Sequence, residues 1–256
     1  TSQLPYSIVT DGPFDPDDPT YPVEWTPKRW KSEYSARQTE IYTGARFVFT
    51  LSDWARNKLL ALHPVNTARV VRIGWGPMFL GSGPNLDPAD PPYFVSIGNQ
   101  WHRKGMDIVA EAGRLVHERH PEVQTIIAGN PAGMRIPVMP GVKLIPRRQS
   151  QPEVADLLRN ARALIVASRF DASPHIIMEA LQFGTPVIAT KAFGMGENIS
   201  AFSLSPDGGP SSFAERMELL ISGPVKIHRV QAFTEYSSTG GWARSAQILL
   251  GSLQHE

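Results

Sequence analysis

The 256-residue chain contains no cysteine, which excludes disulfides and thiolate metal sites. Its formal net charge is only +1 and its isoelectric point is near 8.0. Nucleic-acid binders carry a much stronger basic excess, so nucleic acid is not expected as a partner. No apolar run approaches the roughly 20 residues of a membrane-spanning helix, and no signal-peptide pattern opens the sequence. No His/Asp cluster has metal-ligand spacing. Asp-x-Asp occurs at Asp15-Pro-Asp17 alone, inside a Pro- and Asp-rich stretch that reads as a turn. Low-complexity tracts are absent, although 23 prolines and 21 glycines mark many turns. What is present, 41% apolar and 19% charged residues, describes a folded globular chain long enough for one large or two modest domains. These traits together lead to the expectation of a cytoplasmic protein.

From Tyr93 onward the pattern alternates strand and helix. Tyr93-Phe-Val-Ser-Ile97 reads as a strand. Residues 106–119 place Met106, Val109, Ala112, Leu115 and Val116 on one face of a helix. Gln124-Thr-Ile-Ile-Ala128 and Val142-Lys-Leu-Ile145 are strands. Ser150-Gln-Pro-Glu153 is a capping box opening a helix through Leu158, and Ala163-Leu-Ile-Val-Ala167 is apolar throughout, as a strand covered on both faces requires. A strand at Pro186-Val-Ile-Ala and a helix over 211–222 follow. Repeated strand–helix units of this kind predict a parallel, doubly wound α/β sheet with ligands at the carboxyl ends of its strands. The first 80 residues are sparser: strands at 6–10, 47–51 and 70–73, and a helix from Ser52 to about Leu62. A segment rich in Gly, Pro and Asp (74–92) follows.

The most informative stretch is Asp171-Ala-Ser-Pro-His-Ile-Ile-Met-Glu179, followed by Ala-Leu-Gln-Phe-Gly184-Thr-Pro186. Ser173-Pro174 reads as a helix start, with Ser173 at N-cap and Pro174 at the first helical position. Asp171 then lies in the loop ahead of the helix, Glu179 roughly one and a half turns inside it, and Gly184 closes it. A helix start with an acid on either side of its first turns suits a ligand bearing phosphate and hydroxyls: backbone N–H groups donate to phosphate, and carboxylates accept from hydroxyls. Taken alone, two acids at this spacing are weak evidence, since a capping acid beside a helical Glu is common. Glu179 sits on a helix otherwise apolar (Ile176, Ile177, Ala180, Leu181), so burial without a hydroxyl-bearing ligand or a partner is costly.

This segment resembles the acid-x7-acid motif of the retaining glycosyltransferases of family 4, with Asp171 where that family usually has Glu. The likeness runs through an ordered set of motifs from about Pro5 to Leu253. Ala45-Arg-Phe-Val-Phe-Thr-Leu-Ser52 and Val-Val-Arg-Ile-Gly74-Trp-Gly76 resemble the close of an N-terminal GT-B domain. Phe94-Val-Ser-Ile-Gly98, with Lys104-Gly105 after it, resembles the first strand and loop of the donor domain. Ile126-Ile-Ala-Gly129-Asn-Pro131 matches the second strand and turn, and Phe193-Gly-Met-Gly-Glu197-Asn-Ile the glycine-rich segment after the third. Residues 236–253, with Trp242, resemble the closing helix. One departure concerns charge: the family Arg that helps to hold the diphosphate is Asn99 here, leaving Arg103 or His102 to supply it. The other concerns length: the early strands and glycine-rich loop of the N-terminal domain are missing, as in a truncated product, a fragment, or a short form completed by a second polypeptide.

The resemblance implies an α/β fold of GT-B type, a Rossmann-like parallel-sheet donor domain with a partial N-terminal Rossmann-like domain. The expected boundaries are 1–80 for the partial, acceptor-side domain, 81–92 for a linker, 93–235 for the nucleotide-sugar donor domain, and 236–256 for a helix crossing back. It implies metal-independent transfer of a hexose from a nucleoside diphosphate sugar to an unknown acceptor, with retention and with no cofactor. Asp171, Glu179 and Lys104 are then the catalytic candidates, with Gly98, Asn99, Arg103, Ser173, His175 and Ile176 around the donor. By resemblance Glu179 holds ribose hydroxyls and Asp171 the donor sugar; Asp11 is a minor candidate near the sugar. Two rivals stand beside this reading: a nucleotide-sugar-binding module without transfer activity, and another GT-B enzyme such as a nucleotide-sugar 2-epimerase or a phosphorylase. The Trp25-to-Trp30 segment with Lys28, Arg29 and Lys31 is open to contact with a membrane surface; a solvated face is the expected reading.

Overall fold

The computed structural model describes residues 4–15, 31–129, 136–145, 150–190, 203–204 and 208–254. The chain divides into two compact units, Thr1–Trp75 with Trp242–Glu256, and Gly76–Gly241. In the first unit, strands β1 (Ile8–Thr10), β2 (Val48–Thr50) and β3 (Val70–Arg72) form a parallel sheet in the order β1-β2-β3. Helices α1 (Lys31–Gly44) and α2 (Asp53–Leu62) belong to it, as does most of the C-terminal helix α8 (Gly241–Gln254). Its core gathers Tyr42, Ala45, Val48, Leu59 and Val70. Ser52 caps α2 as expected: extended backbone at Ser52 lets its Oγ accept the Ala55 N–H at 3.1 Å, which satisfies one of the orphan donors of the first turn.

The second unit is built on a six-stranded parallel sheet. Its strands are β4 (Tyr93–Ile97), β5 (Gln124–Ala128), β6 (Val142–Ile145), β7 (Ala163–Val166), β8 (Val187–Thr190) and β9 (Ser203–Leu204), in the order β6-β5-β4-β7-β8-β9. The chain starts at the central β4, winds outward through β5 and β6, then returns to β7 on the other side of β4. The order therefore reverses between β4 and β7, and a doubly wound sheet opens a crevice at that switch point. Strands β7 and β8 are buried along their whole length, which explains their unbroken apolar sequences. Helices α3 (Met106–Arg119), α4 (Gln151–Asn160), α5 (His175–Leu181), α6 (Pro210–Ser222) and α7 (Val225–Thr239) complete the unit. The predicted face of α3 packs Met106, Val109, Ala112 and Val116 with Phe94, Ile165, Phe213 and Met217 in one core. The capping box of α4 is formed, Ser150 N–H donating to Glu153 Oε2 at 2.8 Å.

Several sequence expectations shift. The helix start near Asp171 moves by one residue: Pro174 is the N-cap, the Ser173 side chain makes no capping bond, and α5 begins at His175. The Pro174 carbonyl takes the Ile177 N–H at 3.0 Å instead, so the backbone closes the first turn unaided. Gly184 ends the helix as expected. With φ +69° it lets its own N–H reach Leu181 O and the Thr185 N–H reach Ala180 O, the paired bonds of a left-handed helix terminus. Helices α1 and α7 and strand β9 were not anticipated, and the closing helix expected over 236–253 is broken at Gly240, which adopts φ +70°. Segment 81–92, expected as a linker, lies within the second unit. Its polar groups find partners there: Asn85 N–H donates to Phe183 O at 2.9 Å and Ala89 N–H to Asn160 O at 3.0 Å.

Candidate functional site

Two loops leave the sheet at the switch point, 98–105 after β4 and 167–174 after β7. They touch backbone to backbone. Gly105 takes φ +66°, and a Cβ there would stand 1.9 Å from Ala167 O, so only glycine fits. A Cβ on Gly129, after β5, would fall 1.9 Å from Gly98 O. The Gly98 N–H donates to Ala128 O at 3.0 Å, continuing the ladder past β4. Loop 98–105 then turns at Gln100, a non-glycine residue held at φ +65°.

This turn carries Lys104. Lys104 Nζ forms an ion pair with Asp171 Oδ2, both side chains mostly buried. The sequence brought neither residue to the other; the topology does, 67 positions apart. Arg103 also crosses the gap, its Nη1 donating to Phe170 O at 2.9 Å while its Nε donates to Gln100 Oε1. Its guanidinium is thus engaged in holding the two loops. Asn99 stands exposed at the rim beside Gly98.

On α5, His175, Glu179 and Gln182 lie along one stripe, at the i, i+4, i+7 spacing of a helix face. All three grip the segment 76–81. His175 Nδ1 lies 2.8 Å from Gly76 O, Glu179 Oε1 accepts the Met78 N–H at 3.3 Å, and Gln182 accepts from Gly81 N–H at 2.7 Å while donating to Phe79 O at 3.1 Å. Glu179 is only 6% exposed. Burial pushes its carboxyl above the ordinary range, against the opposing pull of the Met78 N–H and of His175. Ser173 and Ile176 are half-buried on either side of the start of α5.

The structure thus brings Lys104, Arg103 and Asp171 together at the switch point, with Gly98 and Asn99 on the same loop as the cations. It places Glu179 and His175 against segment 76–81. Sequence reasoning missed that segment, and it missed the pair Asp107 and Arg169, which ties the loop after β7 to the first turn of α3 by hydrogen bonds of 2.8 and 2.7 Å. Asp107 is a first-turn acid and Arg169 a loop cation 62 positions away; nothing local signals that they meet. Residue Asp17, segment 25–30, Asn130-Pro131 and segment 193–199 lie outside the described residues. Among the described residues no group of three or more His, Cys, Asp or Glu is placed to hold a metal ion, and no helix is long and apolar enough to cross a membrane.

Residues 91–223, just over half of the chain, match the family of glycosyl transferases group 1. The chain belongs to that family. Among curated relatives, it is 26% identical over 180 residues to D-inositol 3-phosphate glycosyltransferase of Arthrobacter sp. strain FB24, covering 64% of this chain and 43% of that protein. It is 30% identical over 103 residues to D-inositol 3-phosphate glycosyltransferase 1 of Catenulispora acidiphila, covering 39% and 25%. The match thus spans less than half the length of these relatives. Among solved structures, Anabaena HepE in complex with UDP superposes with a TM-score of 0.74 at 16% identity, covering 98% of this chain and 72% of that one. A UDP-forming alpha,alpha-trehalose-phosphate synthase from Burkholderia xenovorans gives 0.72 at 12%, covering 98% and 68%. The fold is α/β with parallel sheets, of the GT-B type.

Proposed function

We propose that this group 1 protein transfers a hexose from a nucleoside diphosphate sugar to an acceptor, as a retaining enzyme of the family 4 kind that needs no metal. The observation that carries this reading is the meeting of Lys104 and Asp171 at the switch point, where a doubly wound sheet binds its ligand. Breaking the bond between the anomeric carbon and the β-phosphate oxygen leaves charge on a diphosphate. Lys104 stands where it can stabilise that charge, with the backbone N–H groups of His175 and Ile176 and with Arg103 near it. Asp171 accepts from hydroxyls of the sugar and Glu179 from those of the ribose. The acceptor attacks on the face that the diphosphate leaves, and the leaving phosphate takes its proton. The UDP in the HepE complex supports a nucleotide donor as the ligand class.

Calorimetry with UDP-, GDP- and ADP-sugars tests this. Binding of a nucleoside diphosphate well above the matching nucleoside is expected. Lys104→Ala should weaken the diphosphate by about 1.5–3 kcal/mol, the worth of a hydrogen bond to a charged group; equal affinities of wild type and variant remove Lys104 from the site. A second reading, a donor-binding module without transfer, is favoured by the small first sheet of three short strands among the described residues. Donor binding with neither transfer nor hydrolysis would decide for it. Product analysis separates both from epimerisation and phosphorolysis.

A further inference from the structure

One side chain joins the two loops of the switch point, and the reading above gives it no role. Arg169 lies in the loop after β7. Its backbone N–H donates to Arg103 O at 2.8 Å, and its Nη1 to His102 O at 2.6 Å. The same guanidinium grips Asp107 in the first turn of α3, Nη1 to Oδ1 at 2.8 Å and Nη2 to Oδ2 at 2.7 Å. That is the two-pronged geometry in which a planar guanidinium matches a carboxylate.

The positive charge of Arg169 is therefore met by Asp107, and its influence falls on the backbone next to it. His102 and Arg103 immediately precede Lys104. The carbonyl of His102 receives both Arg169 Nη1 and the Gly105 N–H at 3.0 Å, while the Lys104 N–H closes on Gln100 O at 3.0 Å. Gln100 holds a left-handed backbone, a conformation that persists in a non-glycine residue only when its surroundings over-determine it. The loop that carries Lys104 is thus tight and locally strained, with Arg169 bonded to two of its carbonyls.

We propose that Arg169 is a positioning residue: paired with Asp107 and bonded to His102 O, it holds loop 98–105 in the shape that presents Lys104 to a donor diphosphate. This rests on the donor reading given above. The pair is well exposed, with 38% and 42% of the two side chains accessible, so its loss should move global stability little. Its effect should appear at the ligand instead.

The test measures UDP, GDP and ADP against uridine, guanosine and adenosine by calorimetry, for wild type, Arg169→Ala, Arg169→Lys and Asp107→Asn. For the nucleotide that wild type prefers, Arg169→Ala should lower diphosphate affinity about tenfold, with nucleoside affinity and melting temperature nearly unchanged. Arg169→Lys should rescue little, because one ammonium cannot hold a carboxylate bidentately and a carbonyl as well. Asp107→Asn keeps Arg169 on His102 O and should lose part of the affinity, which serves also if Arg169→Ala fails to fold. Amide exchange at Lys104 and Gly105 should quicken in Arg169→Ala. Combined with Lys104→Ala, Arg169→Ala should add almost nothing, since a displaced lysine and a missing one are the same loss. An unchanged diphosphate preference, equal losses for nucleoside and diphosphate, or additive losses, with the double variant about tenfold weaker than Lys104→Ala alone, would each overturn the positioning role while leaving the donor reading intact. A wild type that binds no diphosphate better than its nucleoside would overturn the donor reading, and this inference with it.

Discussion

Glu179 is a carboxylate held out of water with a single backbone N–H on Oε1, and its chemistry follows from that. Burial disfavours the charged form and raises its pKa. An acid whose folded pKa is raised binds more protons folded than unfolded, so stability falls as pH rises from the unfolded value toward the raised one. Glu179→Gln removes this cost while still accepting the Met78 N–H. The variant should melt higher than wild type at neutral pH, and the difference should vanish well below the ordinary glutamate pKa; a difference independent of pH would show that Glu179 is not ionised at a cost. The same substitution replaces an acceptor oxygen by a donor group and should weaken nucleoside and nucleotide sugar alike in calorimetry. Asp171 behaves otherwise because Lys104 is its partner. A diphosphate must share or displace that carboxylate, so Asp171→Asn should leave free nucleoside diphosphate binding undiminished, or tighten it a few-fold, while sugar-dependent affinity and transfer fall. Equal weakening of free nucleotide by both substitutions would break the division of roles between the two acids.

At the scale of elements, the fold depends on contacts between backbone groups and on the side chains that clamp them. Gly105 lets loop 98–105 rest against Ala167 O. Gly105→Ala combines a left-handed residue with a clash against a carbonyl, so it should cost about 2–4 kcal/mol of unfolding free energy by urea titration, more than the left-handed penalty alone. Arg229 on α7 is fully buried. It ties together three segments of the second unit, donating to Asn85 O, to Ala161 O at 2.7 Å, to Arg159 O at 2.6 Å, and to Phe183 O and the Thr185 hydroxyl at 3.2 and 3.1 Å. Burial draws its guanidinium down to about 10, so it stays charged at neutral pH. Arg229→Met strips the Asn85 and Ala161 carbonyls of their donor and breaks the tie between the three segments, with an expected loss of about 3–5 kcal/mol. Arg229→Lys should recover little of it, because the planar fork and its span are lost; near-wild-type melting of the lysine variant would refute the clamp.

Across the whole molecule, a ligand that binds only the folded chain stabilises it by mass action. At a hundred times its dissociation constant the donor nucleotide should add about 2.7 kcal/mol, a rise of roughly 5–10 °C in melting temperature for a chain of this size. Transfer should persist in excess chelator; loss restored by Mn²⁺ would overturn the metal-independent proposal. The periodicity of α3, the capping box of α4 and the apolar runs of β7 and β8 were legible because each is written within a dozen residues and set by helix or strand geometry alone. Gly184 was legible for the same reason: few residues besides glycine accept the left-handed turn that ends α5. The motifs also placed Lys104, Asp171 and Glu179 as candidates, one residue at a time. What local sequence does not encode is which distant groups meet. Helices α1 and α7 carry weak apolar periodicity, and the cap of α5 moved from Ser173 to Pro174 once the backbone itself closed the turn. The Lys104–Asp171 pair and the Arg169–Asp107 fork arise only when the crossover from β6 back to β7 sets the chain after β4 beside the loop after β7, and segment 76–81 meets the stripe of α5 only in the folded unit. The local elements follow from short-range dihedral and periodicity preferences, but the site follows from strand order, a property of the folded chain as a whole.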